Sequence, residues 1–374
     1  MAAESVPLAA SEKAGDTPLD DRDALGADWE AALAPLVVRR DALGEWAHRL
    51  NVEVVAATRG PEGIGELARA GGPRAGQLFI AWSDLARRCG DVAGAAAAAR
   101  QGVASLKAGW ERAALADRLA ILADNAGDVA EAAAARVEAW LSAPSLGRLL
   151  SAVDAGRRAG TEERRLSAMA RGRNLEPAVR AIMQVLTGRI DKAAGTKPSR
   201  RRQGLTGRFG TWEQIAAPAL LVAGSDATHS GRIRGTVLEG LVRSAEDALW
   251  SPLSRSSLAW EDDVALPGSS HDLELGELVL DALDRLELTG RKRSQLLAEG
   301  RQIVDGYIAD IVGSKIRQAY TRAADLAVAQ AEAVAIRDGA AAGEKIVDGA
   351  AARYPRHVAF RRELAAAHRR SPLF

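Results

Sequence analysis

Cysteine is almost absent from this chain of 374 residues: Cys89 is the only one. That excludes an intrachain disulfide and any zinc site built from several thiolates. Net charge is almost absent too, with 50 Lys+Arg against 49 Asp+Glu. No electrostatic argument from the whole protein therefore points to nucleic acid or an acidic lipid surface. The apolar runs are too short for a membrane-spanning helix. No basic stretch followed by an apolar run opens the chain, so a secretory signal is not expected. Large strand-forming residues are scarce, at three Tyr and four Phe. Several phosphate, metal and nucleophile signatures are missing as well: G-x-x-x-x-G-K-[ST], H-E-x-x-H and G-x-S-x-G. Gly60, Gly63 and Gly65 fall in a break with no strand before them and read as a turn.

What is abundant is helix-forming. The chain has 79 Ala and 43 Arg against 7 Lys. Alanine and leucine lose little side-chain entropy in a helix, so the composition predicts an all-α protein. The length allows one large domain or two to three ordinary ones with an ample core.

Residues 1–22 combine Ser, Pro, Gly, Asp and Glu with little apolar content and are expected to be a disordered leader. A helical repeat region is expected over 23–187. From Trp29 a helical pattern runs through Leu33, Leu36, Val37 and Leu43, and Gly60-Pro61 and Gly71-Gly72-Pro73 break it. Gly90-Asp91-Val92-Ala93 then recurs as Gly127-Asp128-Val129-Ala130, 37 residues on. Each copy follows an apolar helical stretch and precedes an Ala-rich one, Ala95–Ala99 and Ala132–Ala135, and the second closes at Ala143-Pro144. The pattern is that of a helix–turn–helix unit: Gly ends the first helix, Asp caps the second, and small residues let the two approach. A third pair is expected at Leu146–Arg158 and Glu162–Ala170, with Gly160 between.

Residues 188–208 are a basic, Gly-containing loop and the expected domain boundary: Arg189, Lys192, Lys197, Arg200, Arg201, Arg202 and Arg208 against Asp191 alone. Residues 209–374 are read as a second helical region with an irregular start. Within it, Pro218–Gly224 fits a short strand or a buried helix turn equally well, and Gly231–Trp250 has helical periodicity. Residues 259–287 hold nine acids and one Arg. Leu275, Leu278, Val279, Ala282, Leu283 and Leu286 form a single helix face, and Ile303 to Val312 forms another. Tyr320–Ile336, Gly343–Arg353 and a segment from Pro355 to Ala367 complete the helices.

Three functional readings follow. Ile215 to Asp226 resembles the strand and turn that present the acid of an α/β-hydrolase, and Leu266-Pro-Gly-Ser-Ser-His271 resembles its histidine turn. A Ser–His–Asp machine also needs a nucleophile elbow, which is missing. Arg200, Arg201, Arg202 and Arg208, followed by Phe209 and Trp212, offer charge and stacking to a nucleic acid. The same loop also serves as a linker, or as a partner for the acidic stretch. The five histidines, His48, His229, His271, His357 and His368, have no metal-ligand spacing. Arg87-Arg88 precede Cys89, where neighbouring cations favour a reactive thiolate, while a small packed residue at a helix end is the plainer reading. The eight Trp are spread widely and read as packing anchors.

The 37-residue unit resembles the tetratricopeptide repeat. Trp82 with Leu85 matches its W-x-x-L start and Ala98 its small position in the second helix, while Ala86 and Cys89 replace its usual Gly and Tyr. Ile311-Val-Gly313-Ser-Lys-Ile-Arg317-Gln-Ala-Tyr320 and Tyr354-Pro355-Arg-His357-Val-Ala-Phe360, with the Trp140 to Pro144 turn, resemble the α-helical tail of bacterial SWIM-type zinc-finger proteins. That family's C-x-C…C-x-H motif cannot exist here, so no zinc or nucleic-acid role of the finger carries over. Together these resemblances imply a solenoid of antiparallel helix pairs acting as a non-catalytic, cytoplasmic scaffold. It would bind another protein or peptide and need no cofactor, metal or membrane. The expected groove is lined by Trp82, Arg87, Arg88, Arg118 and Asp124.

Overall fold

The computed structural model describes residues 22–39, 41–172, 175, 177–190, 213–225 and 274–374. Among the described residues the protein is all-α, with no strand. The expected leader up to residue 21, the basic stretch beyond residue 190, the helix expected at Gly231–Trp250 and the acidic patch Glu261-Asp262-Asp263 lie outside them. The chain divides into two compact units, Met1–Ala143 and Pro144–Phe374. The division falls at the Ala143-Pro144 close of the second repeat. The boundary expected from sequence was the basic stretch 188–208.

In the first unit, α1 (Arg22–Val37) leads to α2 (Ala42–Ala70). The Asp41 carboxylate caps α2 by accepting from the Gly44 amide at 3.0 Å. α2 breaks midway at Gly60, whose φ of 61° lies outside the helical region, directly before Pro61. Then come α3 (Ala75–Arg88), α4 (Val92–Ser105), α5 (Trp110–Asn125) and α6 (Val129–Ser142).

The two copies of Gly-Asp-Val-Ala make the same turn twice. Gly90 and Gly127 have φ of 82° and 77°. Their amides donate to Arg87 and Asp124 carbonyls at 3.0 Å, and the following Asp amides donate to Ala86 and Ala123 carbonyls at 2.9 Å. This pair of bonds satisfies the last carbonyls of the preceding helix. Each Asp side chain then caps the next helix, accepting from Gly94 at 2.7 Å and from Glu131 at 2.9 Å. The small-residue stripes lie where the helices meet. Ala95, Ala98 and Ala99 of α4 and Ala132, Ala133 and Ala139 of α6 are completely buried. At Gly102 an added Cβ would come within 2.5 Å of Leu115 Cδ1. Val55, Ile64, Leu78, Phe79, Trp82 and Leu115 join Ala98, Ala99 and Ala135 in one apolar core.

The second unit opens with α7 (Leu146–Arg158) and α8 (Glu162–Met169), the expected third pair. Gly160, with φ of 64°, makes the same turn between them: its amide donates to Arg157 and that of Thr161 to Gly156. There follow α9 (Pro177–Leu186), α10 (Glu213–Ser225), α11 (Leu275–Asp284), α12 (Gly290–Gly313), α13 (Tyr320–Asp338), α14 (Ala340–Arg353) and α15 (Val358–Arg370). The undecided run Pro218–Gly224 is helical. It lies inside α10, whose residues from Ala217 to Ser225 are all buried. α10 packs so closely on α12 that a Cβ at Gly224 would fall 2.6 Å from the Leu297 backbone nitrogen. α13 is the central helix of this unit, with twelve of its residues buried.

Candidate interaction surface

The five residues expected to line a groove occupy two different settings. Trp82 on α3 is 6% exposed. Its indole lies over Gly65, where a Cβ would come within 2.7 Å of the ring, and tilts against Phe79 at 6.2 Å between centroids. The Arg69 guanidinium of α2 covers the ring at 4.5 Å. Trp82 thus joins α2 to α3 from within.

Arg118 on α5 is 7% exposed. Its guanidinium grips Asp84 of α3 with two bonds, Nε to Oδ1 at 2.8 Å and Nη2 to Oδ2 at 3.0 Å, and also donates to the Ala114 carbonyl at 3.1 Å. This bidentate pair ties α3 to α5. Asp124 accepts from Arg136 of α6, and both side chains are nearly buried. One Arg136 nitrogen, Nη1, and the indole nitrogen of fully buried Trp140 find no hydrogen-bond partner among the described residues. Three of the expected groove residues therefore hold the helices together from inside.

Arg87 and Arg88 are exposed, at the end of α3 beside the Gly90 turn. Cys89, Asp91 and Val92 are exposed there too, Val92 to 50%. At the equivalent edge of the next unit, Asn125, Ala126, Gly127 and Asp128 are exposed. The second helices α4 and α6 are linked on their exposed sides by Arg100 and Glu131, with Nε to Oε1 at 2.5 Å and Nη2 to Oε2 at 2.7 Å. The Arg100 guanidinium holds the Glu131 carboxyl below its ordinary range.

The Trp residues correct one expectation. Trp82 and Trp140 are buried anchors, but Trp29, Trp46 and Trp110 are 43%, 53% and 45% exposed. Trp46 has Leu43 beside it on α2 and Val38 on the preceding turn, both also exposed. Sequence pattern did not separate these, because all five described Trp lie on helices with apolar neighbours.

Asp226 and His271, on which the hydrolase reading rested, and Arg200, Arg201, Arg202 and Arg208 lie outside the described residues. The strand that reading required at 218–224 is a helix. Among the described residues no group of three His, Cys, Asp or Glu side chains is arranged to hold a metal ion, and no helix is long and apolar enough to cross a membrane. His48 is 7% exposed, and its burial, aided by Arg74, pushes the imidazole below its ordinary pKa. Between α13 and α15 lies a small hollow of about 180 Å³ beside Asp325, Glu332 and Arg370. There Arg370 donates to Asp325 at 2.6 Å. Burial raises the Asp325 carboxyl above its ordinary range despite that partner. No family model, curated protein or solved structure matches this chain.

Proposed function

We propose that the protein is a non-catalytic scaffold of the helical-repeat type, acting in the cytoplasm, in which α3–α6 are two degenerate tetratricopeptide-type units within a solenoid of antiparallel helix pairs. The observation that carries this reading is the repetition of one turn, with φ of 82° and 77° at Gly90 and Gly127 and the same bonds around both. A cross-link between first helices (Arg118 to Asp84) and one between second helices (Arg100 to Glu131) join neighbouring units. Stacks of this kind present an extended surface to a protein or peptide, each unit contacting its neighbours. The resemblance of α12–α15 to the helical tail of SWIM-type proteins belongs to the same reading, as a helical platform without the finger.

The contact surface on this reading is the turn edge carrying Arg87 and Arg88. The interior positions Trp82, Arg118 and Asp124 support it by fixing the helices beneath. The test is affinity purification of the full chain from its host with and without nuclease, repeated with Arg87→Glu/Arg88→Glu. A stoichiometric protein that survives nuclease and is lost with the double variant is the expected result. Recovery of no protein partner, or of one that the double variant retains, overturns the assignment of this edge.

A further inference from the structure

Whole-chain charge balance conceals a strongly asymmetric segment. Residues 353–374 carry six Arg and no Lys against one acid, Glu363, a net +5 in a chain whose total is +1, so the remaining residues sum to −4. Helix geometry decides where that charge goes. At 100° per residue, Val358, Arg361, Arg362, Ala365 and Arg369 of α15 fall within one sector of about 100°. All five are exposed. Phe360, Leu364 and Ala367 fall on the opposite side and are buried. Phe360 is held there by Tyr320 and Tyr354, with ring centroids 5.9 Å and 5.6 Å away and edges meeting faces. The one acid, Glu363, lies off the arginine sector and accepts from Thr321 at 3.2 Å and from Arg362 at 3.3 Å. Arg370 is likewise outside the sector, bound to Asp325. The guanidinium groups of Arg361 and Arg369, with that of Arg356 just before the helix, have no ion pair or hydrogen bond among the described residues.

A rigid, anchored helix therefore presents guanidinium groups that no acid among the described residues neutralises. We infer that the exposed arginine face of α15, with Arg356, is a docking surface for the sugar–phosphate backbone of double-stranded nucleic acid.

Three physical arguments select that partner. The face is convex and has Val358 as its one large apolar residue. It lacks the buried apolar or aromatic anchors on which a protein partner's binding energy depends, whereas a phosphate backbone needs only charge. A membrane surface requires an apolar helix face to insert, and here that face is already packed inside the protein. Finally, Arg361 and Arg369 are eight residues apart, or about 12 Å along the axis at 1.5 Å per residue. That is about the width of the duplex major groove, so the two ends of the face can reach phosphates on its two sides. Arginine suits this role because its planar fork bonds two phosphate oxygens at once. The surface lies in the second unit and does not depend on the scaffold proposed for the first.

The test is binding of the full chain to a fluorescently labelled, mixed-sequence DNA duplex over about 50 to 200 mM salt. The variants are Arg356→Gln/Arg361→Gln/Arg369→Gln and, separately, Arg200→Gln/Arg201→Gln/Arg202→Gln. Circular dichroism checks that each remains helical, as expected for substitutions at exposed positions without partners. The plot of log affinity against log salt should flatten by about 2.7 in the α15 variant, at about 0.9 for each phosphate no longer neutralised. Over the fourfold salt range, the wild-type affinity should then fall about 40-fold more than the variant's. An unchanged slope in the α15 variant overturns the inference, as does the absence of duplex binding by the wild type at the lowest salt. Loss confined to the 200–202 variant moves the interface to the other basic stretch. Equal or tighter binding to anionic phosphatidylserine vesicles, abolished by the same α15 substitutions, overturns the choice of nucleic acid.

Discussion

Replacing the two turn glycines, Gly90→Ala and Gly127→Ala, tests whether the chain contains a true structural repeat. Both residues hold φ near +80°, where an L-side chain is strained by roughly 1–2 kcal/mol. Nothing lies within 4 Å of a Cβ at either site, so no collision adds to that cost. Alanine also restricts the unfolded chain relative to glycine, which returns about 0.4–1 kcal/mol. The net destabilisation is therefore about 1 kcal/mol at each site, with closely similar values at the two. Asparagine, which tolerates the left-handed region, should cost less than alanine at both. Gly102→Ala provides the contrast. There the backbone is unstrained, but the added carbon lands 2.5 Å from Leu115 Cδ1 and 3.0 Å from Phe79. Its cost comes from overpacking, about 1–3 kcal/mol, and Leu115→Ala in the same chain should relieve the collision itself. Native-state hydrogen exchange read on peptides from α3 to α6 gives the local opening free energies for all six variants. If the two turn substitutions differed by more than about 1 kcal/mol, the strain at the two turns would not be equivalent. The repeat would then be one of sequence only.

Two further predictions concern buried ionisable groups. Arg118→Met leaves the Asp84 carboxylate, 16% exposed, without its guanidinium. It should destabilise the first unit by about 3 kcal/mol, the low end for a broken buried pair, whereas Arg118→Met/Asp84→Leu should recover most of that loss. A urea-unfolding double-mutant cycle reads both, and a stable single variant would return Arg118 to the residues open to a partner. His48 has a folded-state pKa below 6.5, so at acid pH the unfolded chain binds the extra proton first. Stability should be fully present above the unfolded value of 6.5 and should decline as pH falls from there toward the folded pKa. A His48→Gln variant should lack that component in urea midpoints followed from neutral to mildly acidic pH, and an unaltered pH profile in the variant would assign the titration to another group.

Helix class and the repeat turn were legible because each has a local chemical cause. Glycine is nearly required at φ near +80°, and an aspartate next to it caps the following helix, so both leave a mark in the sequence. The turn after α12 has the same bonds, with the Lys315 amide donating to Val312 and that of Ile316 to Ile311, yet Lys315 stands at φ of 58° where glycine would be expected. No residue type announces that turn. The run Pro218–Gly224 was undecided for a related reason. A segment buried on every side has no polar face, so neither a two-residue nor a 3.6-residue period appears in it. The groove residues failed to form one site because periodicity tells which face of a helix is apolar but not which helix lies against it. Asp84 and Arg118 are 34 residues apart, and only the tertiary fold shows that each is the other's partner.

The two Gly-Asp-Val-Ala repeats agree in backbone geometry but not in charge. An offset of 37 residues carries Gly90 onto Gly127 and Asp91 onto Asp128, and both pairs keep their backbone geometry. It also carries Arg87 onto Asp124 and Arg88 onto Asn125. Asp124 is taken up by Arg136 inside the second repeat, while the residue matching Arg136 in the first repeat is the fully buried alanine Ala99. The first repeat therefore has an arginine pair at its rim where the second has an internal ion pair and an amide. The turn and the alanine stripe recur at both places, whereas the basic rim belongs to the first repeat alone. On the proposed scaffold reading, a rim whose charge departs from its own internal copy is where a charged partner segment would be selected. On that reading Arg87 and Arg88, rather than the buried Trp82 or Arg118, are the positions at which charge reversal should release a partner while the helices beneath stay packed.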